Sequence, residues 1–103
     1  MPSSEFESLG STLLVHVELP QLQSQEDLKE LQLLAESGGG EVAYCVCCKR
    51  ETPDPSTFIG SGKVVEVADA VKAYDVQTVI FNNKLTPAQE RNLEKAFGVR
   101  VMD

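Results

Sequence analysis

The residues best placed to do chemistry in this sequence lie between Lys49 and Lys63. Two cations, Lys49 and Arg50, open the stretch, and the sequence Gly-Ser-Gly-Lys over 60–63 closes it. An apolar run begins directly afterwards and predicts a helix, whose first turn exposes unpaired N–H groups and the positive end of the helix dipole. Glycines let such a backbone approach a ligand closely, and a lysine adds a mobile charge. The pattern therefore indicates an anion-binding site.

This sequence is not the complete phosphate-binding loop that nucleotide hydrolases use. That motif has a glycine where this chain has Thr57, and a Ser or Thr to hold magnesium where this chain has Val64. We therefore expect no catalytic residues and no nucleotide hydrolysis at this stretch. A tight turn with Lys63 as an exposed first-turn residue is the alternative that needs no ligand.

The connection from about Lys49 to Gly62 is long. Connections between a strand and a helix usually take about two to six residues. Pro53 and Pro55 keep the stretch out of both neighbouring elements, because each fixes φ and lacks an N–H. We expect a functional loop, with Phe58 and the following isoleucine anchoring its far end.

The three cysteines, Cys45, Cys47 and Cys48, lie within one apolar run. Neighbouring cysteines on a strand cannot easily pair, so we expect free thiols in a reducing compartment. A closed zinc site needs four ligands, and His16 is the only histidine. We therefore predict no metal site and favour cysteines that act as small apolar residues in a buried strand, with His16 in the core or half-buried.

The composition indicates one domain with a sizeable core. The chain has 103 residues, of which 42% are hydrophobic, and its formal net charge is −7. No apolar run is long enough to span a membrane and no signal peptide opens the chain, so we expect a cytoplasmic protein. The acidic balance argues against nonspecific nucleic-acid binding. Lys49, Arg50 and Lys63 could still form a basic edge on an acidic body.

The pattern of apolar residues predicts alternating strands and helices. Four runs predict strands over 12–17, 41–48, 77–81 and 99–102. One helix is capped at Ser24 and stopped by the glycines of 38–40, and a second runs from Lys63 to about Tyr74. A third has Thr86 as its N-cap, with Gln89 completing a capping box, and ends at Gly98.

This alternation predicts an α/β fold with a small parallel four-stranded sheet and three helices on both faces. We expect the strand order 2-1-3-4, with a switch point between the first and third strands. Ligands bind beyond the carboxyl ends of the strands at such a point. That edge would hold Glu18, the long loop, Asn82 and Asn83. Residues 1–10 are predicted to be a flexible leader, and 11–103 the domain.

The run from about Leu13 to Asp103 resembles the N-terminal domain of HflX-type GTPases. The matching pieces are LLVHVELP at its start, KRETPDPSTFIGSGKVVEVADAV over 49–71 and VIFNNKLTPAQERNLEKAFGVRVMD over 79–103. Thr86 stands where the family often has serine. The resemblance covers nearly the whole chain.

The resemblance implies a parent protein that binds the large ribosomal subunit and helps to split or rescue stalled ribosomes. A separate domain of that protein would hydrolyse GTP with magnesium. Neither that domain nor the coiled coil that joins it has a motif in this chain, which therefore looks like an N-terminal domain with no GTPase activity of its own. The resemblance also allows an ATP-directed activity in this region.

Three functions follow as hypotheses. The chain could be a ribosome-binding module that contacts rRNA, a nucleotide-binding domain that uses the Gly-Ser-Gly-Lys stretch, or a structural domain that packs on its own GTPase domain. We expect a monomer or weak association. In the first hypothesis Phe58 packs inside the domain or stacks on a base. The candidate rRNA- or anion-binding residues are Lys49, Arg50, Phe58, Gly60, Ser61, Gly62 and Lys63, with Asn82 and Asn83 at the switch point.

Overall fold

The computed structural model describes residues 10–20, 29, 32–33, 36–37 and 41–103. Strands and helices alternate through the longest of these ranges. The elements with described bounds are β1 (Ser11–Glu18), β2 (Glu41–Lys49), α1 (Ser61–Ala73), β3 (Thr78–Phe81), α2 (Pro87–Phe97) and β4 (Arg100–Met102).

The four strands form one sheet in the order β2-β1-β3-β4. β1 pairs with β2 and with β3, and β3 also pairs with β4, all in parallel register. The register skips Ala43 of β2, so that Tyr44 pairs with Leu13. The predicted strand order and the parallel direction of the strands are confirmed.

β1 lies inside the sheet because its sequence is apolar on both faces. Every residue from Thr12 to Val17 is buried, as expected of a strand that is covered on both sides in a parallel sheet. His16 is 6% exposed, so of the two predicted positions, core or half-buried, it has the core position. β2 differs because it pairs only with β1 and forms an edge of the sheet.

The larger part of the core lies on one face of the sheet, under both α1 and α2. Alternate side chains of β1 point to this face, because successive residues of a strand face opposite ways. The core residues that these elements supply are Leu13, Val15, Val17, Val67, Ala70, Val71, Leu93 and Phe97. The opposite face is buried as well, at Thr12, Leu14, His16, Thr78 and Ile80.

The helix prediction is confirmed for two of the three helices. α1 and α2 are the helices with described bounds, and both pack on the same face of the sheet. Of the predicted first helix, the described residues 29, 32–33 and 36–37 are helical. Its predicted cap at Ser24 and its glycine stop lie outside the described residues, as do residues 1–9 of the predicted leader. The prediction of three helices on both faces is therefore confirmed only for two helices on one face.

The local signals at α2 are confirmed in detail. Thr86 and Gln89 form the predicted capping box, Pro87 opens the helix, and Gly98 ends it in the left-handed conformation at φ 73°. α1 begins at Ser61 rather than at Lys63, because Val64 N donates to the carbonyl oxygen of Gly60 and so completes the first turn earlier. Neither of these helices, nor any other helical segment among the described residues, is long and apolar enough to cross a membrane.

Candidate functional site

The strands β1, β2 and β3 end at one side of the sheet, next to the β2–α1 loop (residues 50–60). We call this side the carboxyl edge. Arg50 N donates to the Glu18 carbonyl oxygen over 3.0 Å, which continues the pairing of β1 with β2. Asn82 directly follows β3. The residues that were predicted to meet at this edge are therefore brought together.

Asn82 and Asn83 tie β1 to the end of β3. Val17 N donates to Asn82 Oδ1 over 2.8 Å, and Asn82 Nδ2 donates back to the Val17 carbonyl oxygen over 3.1 Å. Asn83 Nδ2 donates to the same carbonyl oxygen over 3.0 Å. The Asn82 side-chain amide thus bonds the Val17 backbone at the switch point in the way that a paired strand residue would. In this arrangement both amides hold the sheet edge together.

Asp54 organises the turn inside the β2–α1 loop. Its Oδ1 accepts hydrogen bonds from Ser56 N over 2.8 Å and from Thr57 N over 3.2 Å. These two bonds to backbone N–H groups lower the pKa of the Asp54 carboxyl, because they favour its charged form. Backbone bonds between Asp54 and Phe58, 3.0 and 2.9 Å long, close the turn. The long loop is therefore a folded unit with its own hydrogen bonds.

Phe58 and Ile59 anchor this unit in the core. Phe58 is 4% exposed, Ile59 is fully buried, and the Phe58 ring lies edge-on to Phe81 with 6.3 Å between ring centroids. Phe58 has φ 67°, a conformation that is uncommon for a residue with a side chain. The buried contacts offset this backbone strain. Phe58 therefore packs inside the domain and is not exposed to stack on a base.

Helix α2 holds the loop from the other side. Gln89 Nε2 donates to the Asp54 carbonyl oxygen over 2.7 Å, and Asn92 Nδ2 donates to the Ser56 carbonyl oxygen over 3.0 Å. The sequence predicted Gln89 as a capping residue but missed these two bonds. The bonded residues are 35 and 36 positions apart in the sequence. No local sequence pattern encodes such contacts.

The first turn of α1 is open at the end that faces the carboxyl edge. Its N-cap, Gly60, has no side chain to accept a hydrogen bond, and the first turn contains no acidic residue. The unpaired N–H groups of a helix start and its dipole favour an anion there. The side of Gly62 is also open, because a Cβ built on it would meet nothing within 4 Å.

The guanidinium group of Arg50 lies beside Gly60. A Cβ built on Gly60 would come within 2.9 Å of Arg50 Nη1, so a larger residue there would displace the guanidinium. Arg50 Nε donates to the Thr52 carbonyl oxygen over 3.0 Å, which fixes the side chain near the loop start. A positive charge therefore lies next to the positive end of the α1 dipole.

Lys63 adds a second cation, but it already has a partner. Its Nζ lies 2.9 Å from Glu66 Oε1, one turn further along α1, and the two side chains are 30% and 52% exposed. The hydrogen bond to Glu66 raises the pKa of Lys63. Burial raises the pKa of the nearby Cys48 thiol, and the charges of Lys63 and Arg50 partly offset that rise. Both cations are therefore close enough to Cys48 to favour its charged form.

The charge at the carboxyl edge is mixed. Two acids are already bonded, Asp54 to backbone N–H groups and Glu66 to Lys63. The basic edge that we expected from the sequence is therefore interspersed with carboxylates. The cations are Lys49, Arg50 and Lys63, and the acids in the adjoining segments are Glu18, Glu51, Asp54 and Glu66.

The cysteines do not all match the expectation of buried apolar residues. All three are free thiols, with Cys47 exposed and Cys45 and Cys48 half-buried. The expectation of a buried strand is wrong, because β2 lies at the edge of the sheet and only Val46 of its residues is buried. Within residues 10–20 and 41–103 and the described helical positions, no three His, Cys, Asp or Glu side chains are grouped to hold a metal ion.

These features define a class of small parallel α/β domain, in which a folded β2–α1 loop covers the carboxyl edge. A family model described as "GTP-binding GTPase N-terminal" matches residues 25–103. The chain is 44% identical over 91 residues to the GTPase HflX of Escherichia coli (strain K12), a match that covers 88% of this chain and 21% of that protein.

More distant relatives have the same name. The GTPase HflX of Flavobacterium psychrophilum is 35% identical over 107 residues, covering 100% of this chain and 26% of that protein. The GTPase HflX of Methanocaldococcus jannaschii is 38% identical over 79 residues, covering 77% of this chain and 19% of that protein. The chain belongs to the family of HflX-type GTPase N-terminal domains. It spans from about a fifth to a quarter of the length of these relatives.

Proposed function

We propose that this chain is the domain with which an HflX-type GTPase binds the large ribosomal subunit, and that its carboxyl edge contacts rRNA. The parent protein would split or rescue stalled ribosomes in the cytoplasm. GTP and magnesium would be held by the GTPase domain to which this domain is joined. This domain would supply binding and no chemistry, since Val64 follows Lys63 where a magnesium-binding hydroxyl would be needed.

The observation that supports this proposal most directly is the start of α1. Gly60 leaves the first-turn N–H groups without a side-chain cap, and the Arg50 guanidinium lies beside it. An RNA phosphate is a partner that helix N–H groups and a guanidinium both favour. Lys49 is exposed at the end of β2, next to Arg50, and could reach a neighbouring phosphate.

The same residues favour contacts to the RNA backbone over contacts to bases. Phe58, the one aromatic side chain of the loop, is buried against Phe81 and has no free face for stacking. Binding would therefore depend on phosphates and on the shape of the rRNA. A body with a net charge of −7 is repelled by RNA, so only an approach through the cations of the carboxyl edge would be productive.

Cosedimentation of the purified chain with large ribosomal subunits, over a series of salt concentrations, tests the proposal. The double variant Arg50→Ala/Lys63→Ala should bind more weakly. The slope of log affinity against log salt should fall by about two units, because each lost phosphate contact removes about one. The fold should survive, since the Lys63–Glu66 ion pair is partly exposed and such pairs contribute at most about 1 kcal/mol.

A matched double variant removes the same two charges elsewhere. Lys72 lies in the last turn of α1, and Arg100 begins β4 at the opposite end of the sheet. Lys72→Ala/Arg100→Ala should leave the affinity and the salt slope nearly unchanged. If both double variants weaken binding equally, or neither does, the carboxyl edge is not the RNA contact. The structural role beside the GTPase domain would then be preferred.

A second candidate is binding of a nucleotide such as ATP at the same N–H groups, which the uncapped start of α1 favours. Two observations oppose it. Asn82 bonds Val17 at the switch point, and Phe58 packs on Phe81 beside it, where α/β sheets bind nucleotides. An ATP titration that shifts the amide resonances of 60–63 to saturation, in a chain that does not bind ribosomal subunits, would favour the nucleotide.

A further inference from the structure

Two thiols share the face of β2 that points away from α1. Cys45 and Cys47 are two residues apart on this edge strand, so their side chains point to the same side. Cys45 packs beside Leu14 and Ile80, and Cys47 is exposed. Cys48, the next residue, points to the other face, where it packs against the larger core. None of these thiols is used by the proposed contact with RNA.

The two thiols are neighbours on one face of the strand. Two residues of an extended strand span about 6.6 Å between Cα atoms, so the side chains of Cys45 and Cys47 lie side by side. Burial, and then the proximity of Cys47, raise the pKa of Cys45 to about 11.

We propose that Cys45 and Cys47 bind one copper(I) ion as a two-coordinate dithiolate site. Soft thiolate ligands select copper(I). Two metal–sulfur bonds in line, each about 2.3 Å as for zinc, would separate the sulfur atoms by about 4.6 Å. Side chains on one strand face whose Cα atoms are about 6.6 Å apart can reach this separation by rotating about χ1. Because Cys47 is exposed, the ion can enter from solvent.

The binding step is a metal–proton exchange with no change of oxidation state. Each thiol releases one proton to solvent, each sulfur forms one bond to copper, and the metal remains copper(I). The ion neutralises one of the two new thiolate charges. The binding step itself needs no oxidant or reductant. In the experiment, a reductant only keeps the free copper as copper(I).

The surroundings of the pair disfavour zinc. Structural zinc sites are four-coordinate, and no group of three potential ligands is found in the described part of the chain. His16 is the register partner of Cys47 on β1, but it is buried and has interactions of its own. The proposed site therefore needs the two sulfur atoms alone.

An anaerobic competition titration with the copper(I) chelator bicinchoninate, with ascorbate present, tests the site. The chain should take one copper(I) from the chelator. Cys45→Ser and Cys47→Ser should each weaken binding at least 100-fold. Cys48→Ser is the matched control, since it removes an adjacent half-buried thiol from the other face, and it should bind copper(I) like the parent chain. Circular dichroism should show that all three variants remain folded.

X-ray absorption at the copper edge should show two sulfur neighbours. Loss of binding in Cys48→Ser to the same extent would overturn the proposal, and so would a parent chain that binds no more tightly than Cys45→Ser. A stoichiometry of one copper for two chains would also overturn it, because the ion would then join the exposed Cys47 of two copies.

Discussion

The two bounded helices of this domain begin in opposite ways. At α2, Thr86 Oγ1 accepts from Gln89 N over 3.1 Å, Gln89 Oε1 accepts from Thr86 N over 2.9 Å, and Glu90 places an acid in the first turn. At α1 the N-cap is Gly60, with no side-chain cap and no first-turn acid. Both helices pack on the same face of one sheet, so the difference comes from the residues at their starts.

The difference shows how a helix start can be positioned without using its own N–H groups. α2 satisfies its first turn internally and then serves as a support, because Gln89 also holds Asp54. α1 is fixed by the residues that precede it, since Phe58 and Ile59 are buried in the core. Its first-turn N–H groups therefore stay available for a partner. Three changes can break or sharpen this comparison.

The largest effect is expected from removing the anchor of α1. Phe58→Ala should lower the free energy of unfolding by about 3–5 kcal/mol, because a buried aromatic ring is lost and a cavity remains. Urea denaturation followed by circular dichroism measures this loss. Phe58→Leu keeps more of the buried volume and should lose less, which keeps the test informative if Phe58→Ala does not fold.

Val65→Ala is the control for this prediction. Val65 lies on α1 but is 59% exposed, and exposed substitutions usually change stability by less than about 0.5 kcal/mol. Similar losses for Phe58→Ala and Val65→Ala would mean that α1 is held by something other than its preceding anchor. The contrast between the two helix starts would then need another cause.

An intermediate effect is expected from Gln89→Ala, which removes both functions of that side chain. The cap is weakened, and the Asp54 carbonyl oxygen loses its 2.7 Å partner. That oxygen still accepts from Phe58 N, so the change removes one hydrogen bond, worth about 0.5–1.5 kcal/mol, and about 1 kcal/mol of capping. Hydrogen exchange of the Asp54 and Phe58 amides, which bond each other's carbonyl oxygens, should become faster.

Thr86→Ala separates the cap from the support of the loop. It removes the other half of the capping box, at a cost of about 1 kcal/mol, and leaves the Gln89–Asp54 bond in place. Exchange at Asp54 and Phe58 should stay slow in this variant. Equal acceleration in both variants would show that α2 acts on the loop only through its general stability.

Much of the fold could be predicted because its signals are local. The alternation of elements, the parallel sheet order and the capping box of α2 each depend on periodicity or on residues a few positions apart. The burial of β1 follows from a run that is apolar on both faces. The start of α1 was missed by two positions, from Lys63 to Ser61, because glycine gives no cap signal.

The site was harder to predict because its contacts are long-range. The sequence predicted which segments meet at the carboxyl edge. It did not predict the bonds that Asn82 and Asn83 make to Val17, which is 65 and 66 residues away. It also gave no sign that Arg50 lies over Gly60 or that Cys47 is exposed. Such facts depend on which strand lies at an edge and on how a loop folds back.

The smallest effect distinguishes the two glycines at the start of α1. Gly62→Ala should raise stability by about 0.5–1 kcal/mol, because nothing lies near the new methyl group and glycine is unfavourable within a helix. Gly60→Ala should bring no such gain, since its methyl group would meet Arg50 Nη1 and glycine is the better N-cap. Arg50 has a side chain flexible enough to move, so the fold should survive.

The informative readout is the Arg50 side chain itself. In Gly60→Ala its Nε–H resonance should shift as the guanidinium leaves the Thr52 carbonyl oxygen and the helix start. Binding of ribosomal subunits should weaken as in Arg50→Ala, although the charge of the chain is unchanged. In Gly62→Ala the Arg50 resonance should stay in place, because the new methyl group meets nothing within 4 Å. Equal behaviour of the two alanine variants in both measurements would mean that the position of the guanidinium beside Gly60 does not distinguish this helix start from that of α2.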